Sequence, residues 1–290
     1  MNQTDNNLFD LTDRVAVVTG ASSGLGQAMA IGLAQHGAHL AICCDKNMEG
    51  LAETAATIES HGQRALQVQC DTSQADEVGQ FFEQVDAAFG QVDVLVNNVG
   101  APARFRPEEM PFEDWDRVLQ VNITSTFLCA QEAGQRMMAR QSGSIINISS
   151  TASVTGMGRG NFAYGTTKGA VNELTRELAV EWARYGIRVN ALLPAQVLTP
   201  YLEQLLSNPS FSSGGLMDRI QSGIPLGRLG NTADLVGPVV FLASDASAFI
   251  SGAMLPVDGG NLAFNPCGSL EWSSRFIRGQ IALVCSSTAS

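Results

Sequence analysis

Tyr164 and Lys168 lie four residues apart in the segment AYGTTKGAV, which is predicted to begin a helix. Residues at this spacing share one face of a helix, so the phenol and the ammonium can act on the same group. A phenol exchanges a proton with an alcohol near neutral pH only if its pKa falls from about 10, and a nearby positive charge lowers that pKa. The pair predicts acid–base chemistry on a hydroxyl or carbonyl group, although ordinary surface helices show the same spacing.

A candidate third group precedes this helix, where the apolar run GSIINIS ends in Ser149 and Ser150. Successive side chains of a strand point to opposite faces, so only one of the two serines can meet the tyrosine. We predict that Ser150 hydrogen-bonds and polarises the substrate oxygen, with Ser149 as the alternative. The interpretation without a catalytic role is that these hydroxyls cap the end of the strand.

Alternating apolar and amphipathic segments must position these groups. Seven short runs are candidate strands, and most of them are apolar at nearly every position, as expected for strands that are covered on both faces. They are RVAVVT, AHLAICC, RALQVQC, VDVLVN, GSIINIS, IRVNALL and AMLPVDG. The longer segments between them predict helices at 27–35, 48–60, 74–89, 112–140, 162–184 and 232–243. Strict alternation predicts a single α/β domain, a doubly wound parallel seven-stranded sheet with helices on both faces.

The first predicted strand runs directly into TGASSGLG, and a helix follows. Glycine permits a tight turn and lets backbone amides approach a pyrophosphate, while the helix N-terminus adds partial positive charge. A glycine-rich turn alone is weak evidence, but between a buried strand and a helix it predicts dinucleotide binding rather than an ordinary loop. The predicted cofactor residues of this turn are Gly20, Ser22, Ser23, Gly24, Leu25 and Gly26.

Acidic and amide side chains follow the next strands at the same predicted edge. Asp45 ends the second strand, where a carboxylate can accept hydrogen bonds from an adenosine ribose and repel a 2′-phosphate. This favours NAD over NADP, although the adjacent Lys46 could soften the preference, and a solvated charge pair is the alternative interpretation. Asp71, Asn98 and Gly100 follow the third and fourth strands. We predict that they line the cofactor site, because open parallel sheets bind ligands at this edge.

The composition argues against several other classes of function. The chain has 17 basic and 28 acidic residues and a formal net charge of -11, so we expect no binding to nucleic acid or membranes. No apolar run approaches transmembrane length, and the polar N-terminus does not resemble a secretory signal. Six cysteines without regular spacing and three histidines without neighbouring ligands argue against a disulfide framework and a metal site. We expect a cytoplasmic protein with a small-molecule substrate.

Several motifs in order resemble those of the short-chain dehydrogenase/reductases, a family of the extended Rossmann type. The resemblance covers about residues 11–260 and includes TGASSGLG, the turn at Asp71, NNVG, VLQVNITSTF, the serine pair, YGTTK, PLGRLG and VDGG. Several ordered motifs are far more specific than any one of them. The resemblance implies an NAD-dependent oxidoreductase that moves a hydride between nicotinamide and an alcohol or carbonyl, closest to the sugar and polyol dehydrogenases.

The resemblance also implies roles that spacing alone does not indicate. Asn122 is implied to hold a water that links Lys168 to solvent as a proton relay; without the resemblance it would be interpreted as a polar residue at a helix kink. Lys168 and Tyr164 are implied to contact the cofactor as well. Family members often form tetramers, which implies a homotetramer assembled through the predicted helices 112–140 and 162–184. The remaining implied cofactor residues are Thr72, Pro194, Val197 and Thr199.

Three features depart from the family pattern. Thirteen residues separate Ser150 from Tyr164, one more than is usual, so we expect the intervening loop to bulge. The turn that usually reads Pro-Gly is Pro194–Ala195 here, and alanine requires a negative φ more than glycine does. Residues 261–290 extend beyond the predicted domain, 1–260, and have no assigned function.

Three arginines lie in segments that are predicted to wall the substrate pocket: Arg104, Arg106 and Arg159. A segment rich in Ser, Asn, Pro and Gly, 199–223, is predicted to be a mobile lid over the same pocket, with a helical turn or two. Guanidinium groups bind carboxylate, sulfonate or phosphate in a forked geometry. We therefore hypothesise oxidation of one hydroxyl of a small polyol or sugar, such as a sugar acid or sulfonated sugar. The alternative is that the arginines pair with neighbouring glutamates or solvent.

Two other functions fit the same sequence. A 3-oxoacyl reductase that runs in the opposite direction with NADPH matches the family motifs equally well, although Asp45 argues against NADPH. A cofactor-binding regulator would keep the fold without the chemistry. The intact set of Ser150, Tyr164 and Lys168 argues against a regulator of this kind.

Overall fold

The computed structural model describes residues 7–207 and 216–264 of the 290-residue chain. Its strands are β1 Val15–Thr19, β2 His39–Cys44, β3 Ala65–Gln69, β4 Val94–Asn97, β5 Gly143–Ile148, β6 Ile187–Pro194, β7 Val197–Leu198, β8 Gly230–Asn231 and β9 Met254–Val257. Seven of them form one parallel sheet in the order β3-β2-β1-β4-β5-β6-β9, and β7 pairs with β8. The predicted single doubly wound α/β domain is confirmed.

The helices agree with the predicted segments in most places. They are α1 Gly24–Gln35, α2 Met48–Ser60, α3 Ala75–Phe89, α4 Phe112–Leu119, α5 Ser125–Arg140, α6 Phe162–Trp182, α7 Pro200–Ser207, α8 Leu216–Ser222 and α9 Val236–Ala243. The chain is helical over 112–140 as predicted, and a π-helical turn at Gln120–Thr124 lies between α4 and α5. The predicted helix 232–243 begins as a 3-10 turn, Thr232–Leu235.

The central strands are largely apolar because a helical layer covers each face of the sheet, whereas the edge strand β3 exposes Gln67 and Gln69. One buried cluster packs around Leu33 and Val239 of α1 and α9, and the other packs around Phe81 and Met137 of α3 and α5. All five residues of β1 are buried between these layers. Burial on both faces holds the carboxyl ends of the central strands at one rigid edge, where loops can carry chemical groups.

Two predicted segments lie partly outside the residues that the structure describes. The predicted lid, 199–223, contains α7 and α8, so it is more helical than predicted, and its residues 208–215 lie outside the described ranges. Residues 265–290 of the predicted tail also lie outside them. The domain boundary at residue 260 therefore stays a prediction. Within the described ranges, no helix has the length and apolarity that crossing a membrane requires.

Candidate active site

The glycine turn between β1 and α1 has a backbone that fits a pyrophosphate. Gly20 and Gly24 have φ angles of +63° and +57°, in the left-handed region that favours glycine. A Cβ atom at Gly26 would lie 2.2 Å from the carbonyl oxygen of Gly20, so no side chain fits between the helix and the turn. The turn leads into the 12-residue α1, whose N-terminal amides and dipole favour a phosphate. These residues fit a dinucleotide.

Asn98 joins this turn to the end of β4. Its Nδ2 donates to the carbonyl oxygens of Thr19 and Gly20 at 3.0 and 3.1 Å, and its backbone N–H donates to the Thr19 hydroxyl at 3.0 Å. Asn98 therefore sets the separation of the two strand ends between which the cofactor cleft opens. It has a structural role in addition to its predicted place in the cofactor site.

A cleft of about 520 Å³ runs along the carboxyl ends of the central strands to α6. Most predicted cofactor and catalytic residues line it: Gly20, Ser22, Ser23, Gly24, Leu25, Asp45, Asn98, Gly100, Ser150, Tyr164, Lys168, Pro194 and Thr199. Sequence analysis did not select the lining residues Cys44, Asn47, Val99, Pro102, Ile148 and Ala195. These residue types do not by themselves indicate a site, so only their positions next to the motif residues could have identified them.

Four predicted cofactor residues do not line this cleft: Gly26, Asp71, Thr72 and Val197. Gly26 packs beneath the glycine turn. The Asp71 carboxylate accepts hydrogen bonds from the backbone N–H and the hydroxyl of Ser73 at 3.0 and 2.8 Å, so it closes the turn before α3. Thr72 and Val197 are buried. Their contacts with the cofactor therefore stay predictions.

Asp45 lies at the end of β2 in the wall of the cleft, where the prediction placed it. Its side chain is 51% exposed and forms a 3.3 Å ion pair with Lys46, whose side chain is 88% exposed. An exposed pair of this kind contributes little to stability, so both charges are accessible to a ligand. Lys46 lines the same cleft.

The structure distinguishes the two serines at the end of β5. Ser149 is buried, and its hydroxyl donates to the carbonyl oxygen of Lys168 at 3.1 Å, which directs it toward the α6 backbone. Ser150 forms a hydrogen bond with the Tyr164 phenol. The Ser150 hydroxyl oxygen also accepts the backbone N–H of Ala152 at 3.1 Å, so the capping interpretation applies as well. The geometry favours Ser150 over Ser149 as the group beside the phenol.

The groups of the chain act on the Tyr164 phenol in opposite directions. Burial raises the pKa of the phenol above its usual value of 10, and the hydrogen bond with Ser150 lowers it by a smaller amount. The expected lowering by Lys168 is not observed, because its Nζ lies 5.8 Å from the centroid of the phenol ring and donates elsewhere. A phenol pKa near neutrality therefore requires a further positive charge in the cleft.

Lys168 is 3% exposed, and its Nζ donates to the carbonyl oxygen of Ile148 at 2.8 Å. Gly100 leaves room for this ammonium, since a Cβ atom there would lie 3.2 Å from Nζ. Burial lowers the pKa of Lys168 from 10.5 to about 8. The amine is therefore close to its titration point at working pH, which suits a group that passes a proton on.

Asn122 lies in the π-helical turn between α4 and α5 and is completely buried. Its Oδ1 accepts the backbone N–H of Ala101 at 2.7 Å, and its Nδ2 donates to the Ala101 carbonyl at 3.0 Å and the Thr167 hydroxyl at 2.9 Å. It does not line the cleft. It holds the chain beside Gly100, and therefore beside Lys168. Its proton-relay role stays a prediction.

A second cavity, of about 990 Å³, adjoins the cleft. The two meet along two segments of the chain, since Thr151 follows Ser150 and Gln196 follows Ala195. Residues with hydrogen-bonding side chains in its described wall are Thr151, Thr155, Arg159, Gln196, Ser222 and Asn261. Sequence analysis selected Arg159 among them and missed the neutral residues, because serine, threonine and amide side chains are common in loops.

The structure separates the three predicted substrate arginines. Arg159 lies in the wall of the second cavity. Arg106 is exposed and forms a 3.5 Å ion pair with Glu109, as the alternative of a local pair expects, and its role as a substrate ligand stays a prediction. Arg104 is exposed and lines neither the cleft nor the second cavity.

The loop that carries Arg159 has an unusual backbone. Gly158, Arg159 and Gly160 have φ angles of +63°, +55° and +75°, three consecutive residues in the left-handed region. The backbone N–H of Phe105 donates to the carbonyl oxygen of Gly160 at 3.3 Å, which ties the loop to the segment of Arg104. This geometry agrees with the bulge expected from the extra residue before Tyr164.

Comparison with known proteins supports these observations. A family model described as enoyl-(acyl carrier protein) reductase matches residues 20–261. The chain is 40% identical over 259 residues to 2-dehydro-3-deoxy-D-gluconate 5-dehydrogenase of Escherichia coli (strain K12), covering 88% of this chain and 98% of that protein. It is 38% identical to D-threitol dehydrogenase of Mycolicibacterium smegmatis, covering 87% and 94%. A crystal structure of a gluconate 5-dehydrogenase from Burkholderia cenocepacia, in complex with NADP and tartrate, is similar with a TM-score of 0.82 and 35% identity, covering 89% of this chain and 99% of that chain.

The family model spans the glycine turn and the helix of Tyr164 and Lys168. The named relatives are dehydrogenases of sugar acids and of a polyol. The chain belongs to the short-chain dehydrogenase/reductase family, whose enzymes are NAD(P)-dependent oxidoreductases acting on CH–OH groups.

Proposed function

We propose that the protein uses NAD to oxidise one hydroxyl of a small polyol or sugar that carries an anionic group. The observation that carries this proposal is the junction at Ser150 and Thr151, where the cleft that contains Tyr164 and Lys168 meets a larger cavity with Arg159 in its wall. The relatives named for sugar acids and polyols support the same class of substrate.

In this proposal, Tyr164 takes the hydroxyl proton and Ser150 hydrogen-bonds the same oxygen. Oxidised nicotinamide, when bound, supplies the hydride acceptor and the positive charge that lowers the phenol pKa. Lys168, with a pKa of about 8, receives the proton from the phenol and passes it toward solvent. Asn122 holds the segment beside Lys168 and, in the proposed relay, the water that accepts this proton.

The direct test is NADH formation across neutral polyols, sugar acids and sulfonated sugars, with NAD and NADP side by side. We expect activity with NAD on anionic sugars. Activity found only with NADPH and a 3-oxoacyl thioester would contradict the proposal and support the reductase alternative, to which the family model's description is closer. Binding of NAD without turnover of any compound would support a non-catalytic regulator.

The preference for NAD is proposed from Asp45 alone. A carboxylate at the end of β2 accepts the ribose hydroxyls of NAD and repels the 2′-phosphate of NADP. The gluconate 5-dehydrogenase of known structure was crystallised with NADP, so membership of the family does not by itself decide the cofactor. Asp45→Ser should therefore lower kcat/KM with NAD by about tenfold to a hundredfold. This loss corresponds to the free energy of hydrogen bonds to a charged group. Its activity with NADP should rise, because Lys46 then lacks a carboxylate partner.

Steady-state kinetics with both cofactors check this prediction, and Lys46→Gln is the matched control. Removal of the ammonium should increase the preference for NAD, the opposite of the Asp45→Ser result. An unchanged NAD-to-NADP ratio in Asp45→Ser would show that the carboxylate is only part of a solvated pair.

The anionic group of the substrate is proposed to bind Arg159. Arg159→Gln keeps a polar side chain but removes the charge, so kcat/KM for sugar acids should fall by about tenfold to a hundredfold. Neutral polyols should be unaffected. Arg106→Gln is the matched control, because it removes an exposed guanidinium that is paired with Glu109. Equal losses on charged and neutral substrates would indicate that Arg159 only shapes the loop.

We also propose a cytoplasmic homo-oligomer, a tetramer assembled through α5 and α6. Phe127 and Val180 on these helices are 42% and 76% exposed, which supports an apolar interface there. A monomer in light scattering would contradict the oligomer.

A further inference from the structure

A buried asparagine on α6 is bonded to the turn that carries Ser150. Asn172 is 3% exposed and lies four residues beyond Lys168 and eight beyond Tyr164, so the three side chains form one stripe along the helix. Its Nδ2 donates to the Ser153 hydroxyl oxygen at 2.7 Å, and that hydroxyl donates to the Ser150 carbonyl oxygen at 2.5 Å. The helix that carries the phenol is therefore linked to the serine beside it.

The direction of these bonds requires a donor at position 172. Because Nδ2 donates to the Ser153 hydroxyl oxygen, the hydroxyl proton remains available for the Ser150 carbonyl. The backbone N–H of Ser153 donates to the same carbonyl oxygen at 3.0 Å. Two donors of one residue therefore hold the Ser150 backbone, from which the Ser150 hydroxyl reaches the phenol.

The amide of Asn172 contributes little else to the fold. Its Oδ1 has no hydrogen-bond partner among the described residues, although the side chain is buried. A buried polar atom without a partner destabilises a folded protein, so an apolar residue of similar shape is tolerated at such a position. Its Nδ2 donates to Ser153, in the turn that follows Ser150.

We propose that Asn172 is a positioning residue for the reaction, which acts through Ser153 to fix the Ser150 hydroxyl relative to the Tyr164 phenol. The inference rests on the proposed function, which assigns the chemistry to Ser150 and Tyr164. Loss of the Asn172 amide should therefore affect catalysis more than folding.

Thr175, one turn further along α6, offers a matched control. It is completely buried, and its hydroxyl oxygen accepts a hydrogen bond from Asn147 Nδ2 of β5 at 2.9 Å. This bond joins the same helix to the same strand but does not reach the turn of Ser150. Thr175→Val removes the bond at constant shape, so it should lower Tm and leave turnover nearly unchanged.

The first readout is the pKa of the Tyr164 phenol in the NAD-free protein, which needs no substrate. It is measured from the near-ultraviolet absorbance of the phenolate as the pH is raised, and the absorbance of Tyr164→Phe is subtracted. The hydrogen bond with Ser150 lowers the pKa of this phenol. Asn172→Leu and Ser150→Ala should both move the titration midpoint to higher pH, whereas Thr175→Val should leave it in place. These variants keep the titratable side chains that share the cleft: Cys44, Asp45, Lys46 and Lys168.

The second readout is turnover with NAD and the best substrate of the panel above. Asn172→Leu should lower kcat by about tenfold to a hundredfold, because a small misplacement of a catalytic group is sufficient for such a loss. Its KM for NAD and its Tm should stay near the wild-type values.

Three outcomes would overturn the inference: an unchanged midpoint in Asn172→Leu, an equal loss of kcat in Thr175→Val, or a loss of kcat that merely follows Tm. Ser150→Ala tests the proposed role of the serine separately from that of Asn172. Full activity in Ser150→Ala would refute the proposed role of the serine. An inactive Ser150→Ala together with a fully active Asn172→Leu would refute the role of Asn172 alone.

Discussion

Replacement of Tyr164 by phenylalanine should lower kcat by about a thousandfold, because the variant lacks the group that takes the hydroxyl proton. The ring and its packing are retained, so the affinity for NAD and the Tm should change little. In the wild type the phenol forms a hydrogen bond with Ser150, and the variant lacks the phenol oxygen that takes part in this bond. Turnover of the best substrate, with NAD binding measured separately, checks this expectation.

Tyr185→Phe is the matched control, since it removes a phenol that does not line the cleft. It should keep full activity. A Tyr164→Phe variant that retains more than about a tenth of the wild-type kcat would exclude the phenol as the proton acceptor. If that variant also kept its biological effect, the cofactor-binding regulator would become the better interpretation.

Lys168→Met should have two effects of opposite sign, a loss of turnover of at least about a hundredfold and a gain of stability near neutral pH. Burial lowers the pKa of Lys168 from 10.5 to about 8, which corresponds to roughly 3 kcal/mol. Between these pH values the unfolded chain binds more protons than the folded protein. The wild-type free energy of unfolding should therefore rise with pH, relative to that of Lys168→Met, by roughly 3 kcal/mol between pH 8 and 10.5.

Below pH 8 this difference should be constant, because the ammonium is then charged in both states. Urea unfolding of both proteins at several pH values measures the change, and Lys46→Met provides a control in which an exposed ammonium is removed. Parallel stability curves for wild type and Lys168→Met would show that Lys168 is not strongly desolvated.

Local patterns in the sequence were sufficient to predict the fold. The seven predicted runs are the seven strands of the main sheet, and most of them are apolar at nearly every position because helices cover both faces. The glycine turn was also predictable, because Gly20 and Gly24 adopt positive φ angles that other residues rarely adopt. The pairing of Tyr164 with Lys168 follows from helical spacing alone.

Contacts between distant segments decided what the sequence left open. Ser150 rather than Ser149 faces the phenol because the Ser149 hydroxyl is bonded to the α6 backbone. Arg159 lines the second cavity, in a loop with three consecutive left-handed residues, whereas Arg106 is exposed and pairs with Glu109.

The pKa values and hydrogen bonds of the site also depend on contacts between distant segments. The sequence determined which groups could exchange a proton, since spacing on one element is a local property. Only the tertiary structure decided that burial lowers the pKa of Lys168 and raises that of Tyr164, and that Asn172 is bonded to the turn of Ser150. Desolvation and hydrogen bonding depend on what packs around a group, and those neighbours are far away along the chain.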